Sequence, residues 1–323
     1  AAIAISAPSY AQGNKSDDSV GLEEITITAR KVEENLMSVP IAITAFSEKD
    51  IESAGIKQLN DVMLRTPSFN FVNQQGGSGR NDRSENALVF RGLYLATNIG
   101  LNAGGSLFID GAPVIGSQPP SINDVERIEV LKGPQGAIYG RNAAAGAIVM
   151  TTIKPGDVLE GAFRANYGEL ATGQAFGYVA GPLSDAVGFV LSANYQTTDG
   201  FWRNEFLGNA KVVDDQENYG IDGRIVAKLG EATTLDVKSR YAKLSGASIN
   251  FNASFHLPNF AAVNPAFYEN VNSHPFRYYS NIRPTNEQTT FETSARVEHD
   301  FGTGKLTGWM LYSDVDQALT ADG

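Results

Sequence analysis

The sequence lacks cysteine, is poor in histidine and contains no long apolar run. Without cysteine, it can form neither a disulfide nor a thiolate metal site. Its three histidines are scattered along the chain, which gives no reason to expect a metal centre. No stretch of about 18 apolar residues is present, so a membrane-spanning helix is not expected. Membrane β-barrel strands are compatible with this composition, because their alternating pattern barely registers in hydropathy.

Positive charge is also scarce. The 25 lysines and arginines are outnumbered by 36 acidic residues, which gives a formal net charge of −11. Nucleic-acid-binding proteins rely on clustered lysine and arginine, so a nucleic-acid partner is not expected. Hydrophobic residues make up 42% of the 323 residues, which is ample for a packed core.

The common catalytic motifs are absent from the sequence. It contains neither HExxH nor Gly-x-Ser-x-Gly. The glycine-rich residues 74–86 are not followed by the Gly-Lys-Ser/Thr of a phosphate-binding loop, so we interpret them as an ordinary loop. We therefore expect no enzyme activity, no cofactor and no metal bound by the protein itself.

The most informative segment spans residues 124–155. Its first half alternates between apolar and charged residues, which predicts a half-buried strand with the apolar positions Val125, Ile128, Val130 and Leu131. Residues 133–136 predict a turn, because proline fixes φ and glycine permits positive φ. Residues 147–153 predict a second strand that Pro155 ends. The pattern alone fits a strand–turn–strand in any α+β domain.

The same residues resemble the end of the plug domain of TonB-dependent outer-membrane receptors. The segment departs from the family at Lys132 (usually Arg), Ala145 (usually Gly) and Val149 (usually Asn). Lys132 keeps the charge but loses the planar fork of an arginine. The matches within the segment include Val130 and Ala144. The plug signature implied by the resemblance comprises Arg91, Gly92, Asp110, Gly111, Lys132, Gly133, Pro134, Tyr139, Gly140, Arg141 and Gly146.

The N-terminal residues are interpreted as export and docking segments. Residues 1–11 are apolar and small, which predicts the remnant of a secretory signal peptide, and residues 12–37 predict a flexible segment. Within it lies a short β-prone run that, if unpaired, can add a strand to a partner's sheet edge. A frayed edge strand is the alternative interpretation. By resemblance this run is the TonB box, the docking site for TonB, with residues Glu24, Ile25, Thr26, Ile27, Thr28 and Ala29.

Residues 38–155 predict an α+β plug domain. A strand over residues 39–46 is followed by a helix over 47–54, in which Ser47 and Asp50 form an approximate capping box. A second short helix is expected over residues 59–64. Further strands are expected over residues 69–72, 88–92 and 107–114, the last with an Asp-Gly turn typical of a hairpin.

Residues 156–323 show two-residue alternation in about seven segments, which predicts antiparallel strands. A soluble β-sandwich fits the alternation equally well, but short and long connections alternate as they do in outer-membrane barrels. Tyr195, Tyr219 and Tyr241 would fit an interfacial aromatic girdle. The predicted fold is therefore an α+β plug domain followed by transmembrane β-barrel strands. Because receptors of this family have 22 strands, we expect an incomplete barrel and an N-terminal fragment.

The resemblance implies active import across the bacterial outer membrane, energised by TonB and its inner-membrane complex, with the barrel in contact with lipid. The cargo is a small molecule, with a ferric siderophore expected first and a carbohydrate or cobalamin as alternatives. Candidate ligand-binding side chains are Arg80, Arg83 and Tyr94. A non-transporting envelope receptor for binding or signalling and a periplasmic binding module with an attached sandwich stay open.

Overall fold

The computed structural model contains three helices and sixteen strands in the part of the chain that it describes. The described residues are 26–27, 34–35, 39–72, 87–93, 105–114, 121–140, 143–247, 262–265 and 281–320. The helices are α1 (Glu48–Ser53), α2 (Leu59–Arg65) and α3 (Gly136–Tyr139). The strands are β1 (Thr26–Ile27), β2 (Glu34–Asn35), β3 (Ala42–Ser47), β4 (Phe69–Val72), β5 (Ala87–Phe90), β6 (Gly105–Ile109), β7 (Ala112–Pro113), β8 (Val125–Lys132), β9 (Gly146–Thr152), β10 (Glu160–Tyr167), β11 (Gly173–Ser184), β12 (Val187–Thr198), β13 (Gln216–Lys228), β14 (Thr233–Gly246), β15 (Thr285–Asp300) and β16 (Lys305–Thr320).

The described residues between 39 and 153 form a mixed α+β domain, called the mixed domain below. Its five-stranded sheet has the order β3-β8-β9-β6-β7, in which only the β6–β9 pair is parallel. Helices α1 and α2 contribute Ile51, Leu59 and Val62 to the larger hydrophobic core. Strands β4 and β5 form a separate hairpin, whose Phe69, Phe71, Leu88 and Phe90 join the same core.

Local sequence determines where helix α1 begins and ends. Ser47 accepts a hydrogen bond from the backbone N–H of Asp50, and the Asp50 carboxylate accepts one in return from the Ser47 N–H at 2.9 Å. This reciprocal pair satisfies two backbone donors that the first helical turn leaves free. Gly55 follows the helix with φ 63°, a conformation that glycine adopts without steric cost. The predicted capping box is confirmed.

Strand β8 is buried on both faces, so the prediction of a half-buried strand is wrong. Ile128 and Val130 belong to the core beneath α1 and α2, whereas Leu131 belongs to a second core on the other face of the sheet. Glu129 also points into the interior with no exposed surface, and Arg127 Nε lies 2.8 Å from its carboxylate. Arg127 and Glu129 of the alternating pattern therefore form an ion pair inside the domain and do not lie on a solvated face.

The seven strands β10–β16 form one antiparallel sheet in sequential order, called the strand wall below. The predicted seven strands are confirmed. Its outer face carries exposed apolar and aromatic side chains, among them Leu191, Tyr195, Tyr219, Ile221, Ile225, Tyr241, Phe291 and Val297. Its inner face carries polar residues, of which Asp222 and Arg224 are buried. Strands β10 and β16 form the two edges of the sheet, as expected for an unclosed barrel.

No helix in the described part of the chain is long and apolar enough to cross a membrane.

Two glycines let the β4–β5 hairpin approach the mixed sheet. A Cβ on Gly146 would lie 2.5 Å from Phe90 Cδ1 and 2.6 Å from the Leu131 carbonyl oxygen. A Cβ on Gly105 would lie 2.2 Å from Phe90 Cε2. The Phe90 ring, which is completely buried, fills the space that these side chains would need.

We predict that Gly146→Ala destabilises the mixed domain, because the methyl group overlaps a core ring and a backbone carbonyl. The expected loss in the free energy of opening at β8 and β9 is about 1–3 kcal/mol. Hydrogen–deuterium exchange of the purified full-length protein measures it. Gly136→Ala is the matched control, since a Cβ there meets no atom within 4 Å. Equal exchange in the two variants would contradict the packing described for Phe90.

Candidate functional site

The mixed domain contacts the inner face of the strand wall through the β6–β7 hairpin and the end of β9. The hairpin turns at Asp110 and Gly111, which have φ of 50° and 87°. Aspartate and glycine both tolerate this left-handed conformation, so the predicted Asp-Gly turn is confirmed. The turn places the Asp110 carboxylate beside Thr152, where the backbone N–H donates to it at 3.0 Å and the hydroxyl at 2.6 Å.

The Thr152 hydroxyl joins the two layers. It donates to Asp110 and accepts hydrogen bonds from Arg224 Nη1 and Lys238 Nζ, both at 3.0 Å. A hydroxyl offers one donor and two acceptor sites, so its hydrogen-bonding capacity is fully used here. Arg224 lies on β13 and Lys238 on β14. One side chain of the mixed domain therefore holds two cations of the wall.

All three nitrogen atoms of the Arg224 guanidinium make contacts at the interface. Its Nε and Nη2 bind the Asp236 carboxylate in a bidentate pair at 2.9 and 2.6 Å, which fixes the plane of the fork. The remaining Nη1 donates to the carbonyl oxygens of Thr152 and Ile153 at 3.2 and 3.1 Å and lies 3.7 Å from Asp110. A lysine could not make this set of contacts, because it lacks the planar fork.

Lys238 completes the cluster. Its ammonium group lies 3.1 Å from Asp124 and 3.8 Å from Asp110. The interface cluster thus contains the wall residues Arg224, Asp236 and Lys238 and the mixed-domain residues Asp110, Asp124 and Thr152. Removing one partner from a buried ion pair leaves the other charge uncompensated, which is costly.

The charge state of Asp110 follows from its neighbours. Burial opposes its ionisation, but Arg224, Lys238 and the hydrogen bonds from Thr152 outweigh this and lower its pKa below the usual value. A carboxyl group with a lowered pKa stabilises the folded state above its unfolded pKa of about 3.9. This contribution disappears as the pH falls through the lowered pKa.

The proposed docking run is partly described. Thr26 and Ile27 pair with Glu34 and Asn35 in a short antiparallel ladder, so these two residues are paired within the chain in this arrangement. The Ile27 side chain is 1% exposed and belongs to the second core with Phe108, Leu131, Ala143, Ala147 and Val149. Burial of this apolar side chain explains why the segment is held against the domain. Glu24, Ile25, Thr28 and Ala29 lie outside the described residues.

The signature residues serve mainly to build the domain. Gly92, Gly133 and Gly140 have φ of 77°, 109° and 86° in turns. The Arg91 guanidinium lies over Gly133, where a Cβ would be 3.5 Å from Nη1. Pro134 follows Gly133 in the turn before α3. Lys132 Nζ donates a hydrogen bond to Thr44 Oγ1 at 3.0 Å, which connects the side chains of β8 and β3.

Tyr139 ends the single helical turn α3, which the sequence pattern did not predict. Its ring packs against Phe108 with 4.7 Å between centroids. Burial, together with the charge of Glu129, raises the pKa of its hydroxyl and keeps it neutral. The ligand candidates Arg80, Arg83 and Tyr94, and also Arg141, lie outside the described residues.

Beside these contacts, a cavity of about 450 Å³ lies between the mixed domain and the inner face of the wall. The residues around α1 and α2 line one side, and strands β10–β15 line the other. Asp222, Lys238 and Arg240 form part of the lining beside the interface cluster. Within the described residues, no group of three acidic or histidine side chains is arranged to hold a metal ion.

Sequence reasoning did not identify the interface cluster. Arg224, Asp236 and Lys238 appeared only as the polar positions of alternating strands. Their positions on the polar face carried a signal, because three charges that point to the inner side of a sheet need partners there. The partner residues Asp110, Asp124 and Thr152 could not be assigned, since they come from a different domain.

Comparison with known proteins agrees with this architecture. Residues 35–147 match the family model described as TonB-dependent Receptor Plug Domain. A region of 207 residues is 31% identical to the vitamin B12 transporter BtuB of Vibrio vulnificus (strain CMCP6), covering 62% of this chain and 29% of that protein. The chain thus spans less than a third of the length of this relative.

Solved structures of similar fold support the same conclusion. The closed form of the ferric-catecholate import receptor Fiu from E. coli K12 has a TM-score of 0.69 at 23% identity, covering 88% of this chain and 38% of that one. The ferric yersiniabactin uptake receptor FyuA from Yersinia pestis has a TM-score of 0.69 at 14% identity, covering 87% and 42%. At these identities the likeness shows the fold.

The mixed domain behind an inward-facing polar wall is thus the arrangement of an outer-membrane receptor with an internal plug. Residues 35–147 are a plug domain of the TonB-dependent receptor family, and the antiparallel strands that follow have the fold of an unclosed barrel of such receptors. The mixed domain is this plug domain, and the outer membrane is the location of the receptor.

We predict that Asp110→Asn weakens the contact between the plug domain and the wall at neutral pH. The expected loss is roughly 1–3 kcal/mol, below that of an isolated buried pair because Asp124 and Asp236 still face the two cations. The urea concentration at which the plug domain of the purified receptor becomes protease-sensitive measures it. Asp199→Asn is the control, because its pair with Lys211 is exposed and such pairs contribute little.

The difference in stability between the wild type and Asp110→Asn depends on pH. The advantage of the wild type over Asp110→Asn is complete above about pH 4 and shrinks as the pH falls further, since protonation of Asp110 removes the charge that the variant lacks. Urea titrations of both proteins between neutral pH and pH 3 measure the difference. A difference that grows on acidification would show that Asp110 is not the ionised partner.

Proposed function

We propose that the receptor containing this chain imports a scarce extracellular nutrient across the outer membrane with energy delivered by TonB. The observation that carries the proposal is the interface cluster. The plug domain rests against the inner wall of the barrel through a small set of polar contacts centred on Thr152. Such contacts exchange with water when they open, so a pulling force can separate the two layers without disrupting either core.

The N-terminal run supplies a point at which force can be applied. TonB docks on residues Glu24–Ala29 by strand addition, which uses backbone hydrogen bonds and tolerates varied side chains. In the resting arrangement, Ile27 is buried and its strand is paired with β2. The run therefore has to leave the second core before a partner can pair with it. A ligand drives import if it favours this released state.

Three classes of substrate are considered for the proposed import. A ferric siderophore is the first candidate, in keeping with the ferric-chelate receptors among the similar structures. Cobalamin is the second, because the relative with 31% identity is a vitamin B12 transporter. Carbohydrate uptake is the remaining alternative. Arg80, Arg83 and Tyr94 are the proposed ligand contacts at the plug apex, where two guanidinium groups suit an anionic chelate.

We predict that deleting residues 24–29 from the complete receptor abolishes energised uptake and leaves ligand binding unchanged. The deletion removes the strand that TonB pairs with but none of the residues proposed to contact the ligand. Binding and uptake of ferric siderophores and of cyanocobalamin by intact cells measure the two steps separately.

Deletion of residues 15–20 is the matched control, because it shortens the N-terminal segment by the same length outside the docking run. Uptake that survives the deletion of residues 24–29 would overturn the docking role. Loss of binding together with uptake would instead assign the run to the ligand site or to folding. Binding without energised uptake in the wild type would identify a non-transporting receptor.

A further inference from the structure

Side-chain amides form a row across the strand wall that is interrupted only at Leu244 among strands β10–β15. The register pairs Asn166 with Gln174, Gln174 with Gln196, and Gln196 with Asn218. Asn218 then pairs with Leu244, and Leu244 with Gln288. We call the five amides Asn166, Gln174, Gln196, Asn218 and Gln288 the amide row. Cross-strand partners lie on one face of a sheet, so the row presents its amides on one side.

The amide row faces the lumen and borders the cavity beside the plug domain. All five residues and Leu244 line that cavity. The outer face at the same height carries the exposed side chains of Tyr195 and Tyr219, which confirms the orientation of the row. The row lies within three residues of the strand ends at Thr198, Gln216 and Thr285, where the longer connections begin and end. It is therefore near the end of the wall that carries the long loops.

Two carbonyl oxygens of the amide row have no hydrogen-bond partner within the described part of the protein. Gln288 is 6% exposed, and its Oε1 is buried with no hydrogen-bond partner there, while its Nε2 donates to Thr290 Oγ1 at 3.0 Å. Asn218 Oδ1 is also buried without a partner among the described residues. Buried polar atoms are nearly always satisfied in native proteins, so two orphaned acceptors in one cavity indicate a missing ligand or water.

Three of the five cations that line the cavity are paired with carboxylates, whereas Lys57 and Lys243 line it without such a pair among the described residues. Arg164 lies 3.3 Å from Glu52, Lys238 lies 3.1 Å from Asp124, and Arg240 contacts Glu292. An anionic ligand would have to compete with these carboxylates for those three cations. The amide row itself is neutral and offers both donors and acceptors, because each primary amide has two N–H groups and one carbonyl oxygen.

We propose that the amide row is a binding subsite for a neutral, hydroxyl-rich ligand, namely an oligosaccharide. A hydroxyl group donates one hydrogen bond and accepts two, so neighbouring hydroxyls satisfy the N–H groups and the carbonyl oxygen of one amide together. Five of the six strands β10–β15 contribute an amide, and strands lie about 4.8 Å apart. The row therefore extends over roughly 24 Å, which suits an elongated chain of sugar rings better than a compact chelate.

A second row of side chains lies beneath the amide row. The row beneath the amides consists of Arg164, Phe176, Asn194, Gly220, Ala242 and Thr290, all of which line the cavity. Within this second row, the Asn194 side chain covers Gly220, where a Cβ would lie 2.8 Å from Asn194 Nδ2. The proposal rests on the proposed import function, for which it selects the carbohydrate alternative at this subsite.

The test is calorimetric binding to the full-length receptor purified in detergent. The neutral probes are maltohexaose, cellohexaose, xylohexaose and chitohexaose, and the contrasting probes are cyanocobalamin and a ferric tricatecholate complex. Gln196→Met keeps the length of the side chain and removes the amide, and Asn218→Leu does the same for the shorter one. At least one hexasaccharide binds, and each variant raises its Kd about tenfold, the value for one lost hydrogen bond.

Gln317→Met is the matched control. Gln317 pairs with Gln288 and so continues the row onto β16, but it does not line the cavity, so its substitution leaves the Kd unchanged. A neutral ligand also binds with little dependence on ionic strength. The proposal is overturned if no hexasaccharide binds, if the two variants bind it like the wild type, or if they weaken only cyanocobalamin or the ferric complex.

The outcome is separable from that of the import proposal. Hexasaccharide binding that depends on Gln196 and Asn218, without uptake that requires residues 24–29, would support the subsite and overturn import. Energised uptake of a ferric complex that is unaffected by both amide variants would support import and overturn the subsite.

Discussion

The Thr152 hydroxyl is the contact on which the relation between the two layers depends. It is the point where a carboxylate of the plug domain and two cations of the wall meet, and each of its three hydrogen-bonding sites is occupied. Each cation also contacts a carboxylate: Arg224 contacts that of Asp236, and Lys238 contacts that of Asp124. Loss of the hydroxyl would leave the contacts of Lys238 with Asp124 and of Arg224 with the Ile153 carbonyl, but it would remove the group that contacts Asp110 and both cations together.

The contacts of the interface cluster are polar because most apolar side chains of the two layers point elsewhere. The plug domain buries its apolar residues in its own two cores, and the wall presents its apolar side chains to the outside. The direct contacts between them are the polar ones of the interface cluster, which exchange with water when the two layers separate. The buried Ile27 is the exception, because it ties the N-terminal run to the second core.

Sequence patterns predicted the parts of this fold that local rules control. The capping of α1, the Asp-Gly turn and the alternation of the seven strands each depend on residues close together in the chain. The double-sided burial of β8 was missed, because it depends on which strands lie beside it and on a second core. The amide row was also missed, since only the register of six strands brings Asn166 and Gln288 into one row.

The most direct test of the account compares Thr152→Ser with Thr152→Val in the purified receptor. Serine keeps the hydroxyl that joins Asp110, Arg224 and Lys238, whereas valine keeps the shape and removes it. The account predicts that the valine variant loses about 1–3 kcal/mol of stability at the interface in urea titrations, while the serine variant stays within about 0.5 kcal/mol of the wild type. Equal losses in both variants would show that the methyl group, and not the hydroxyl, holds the plug domain to the wall.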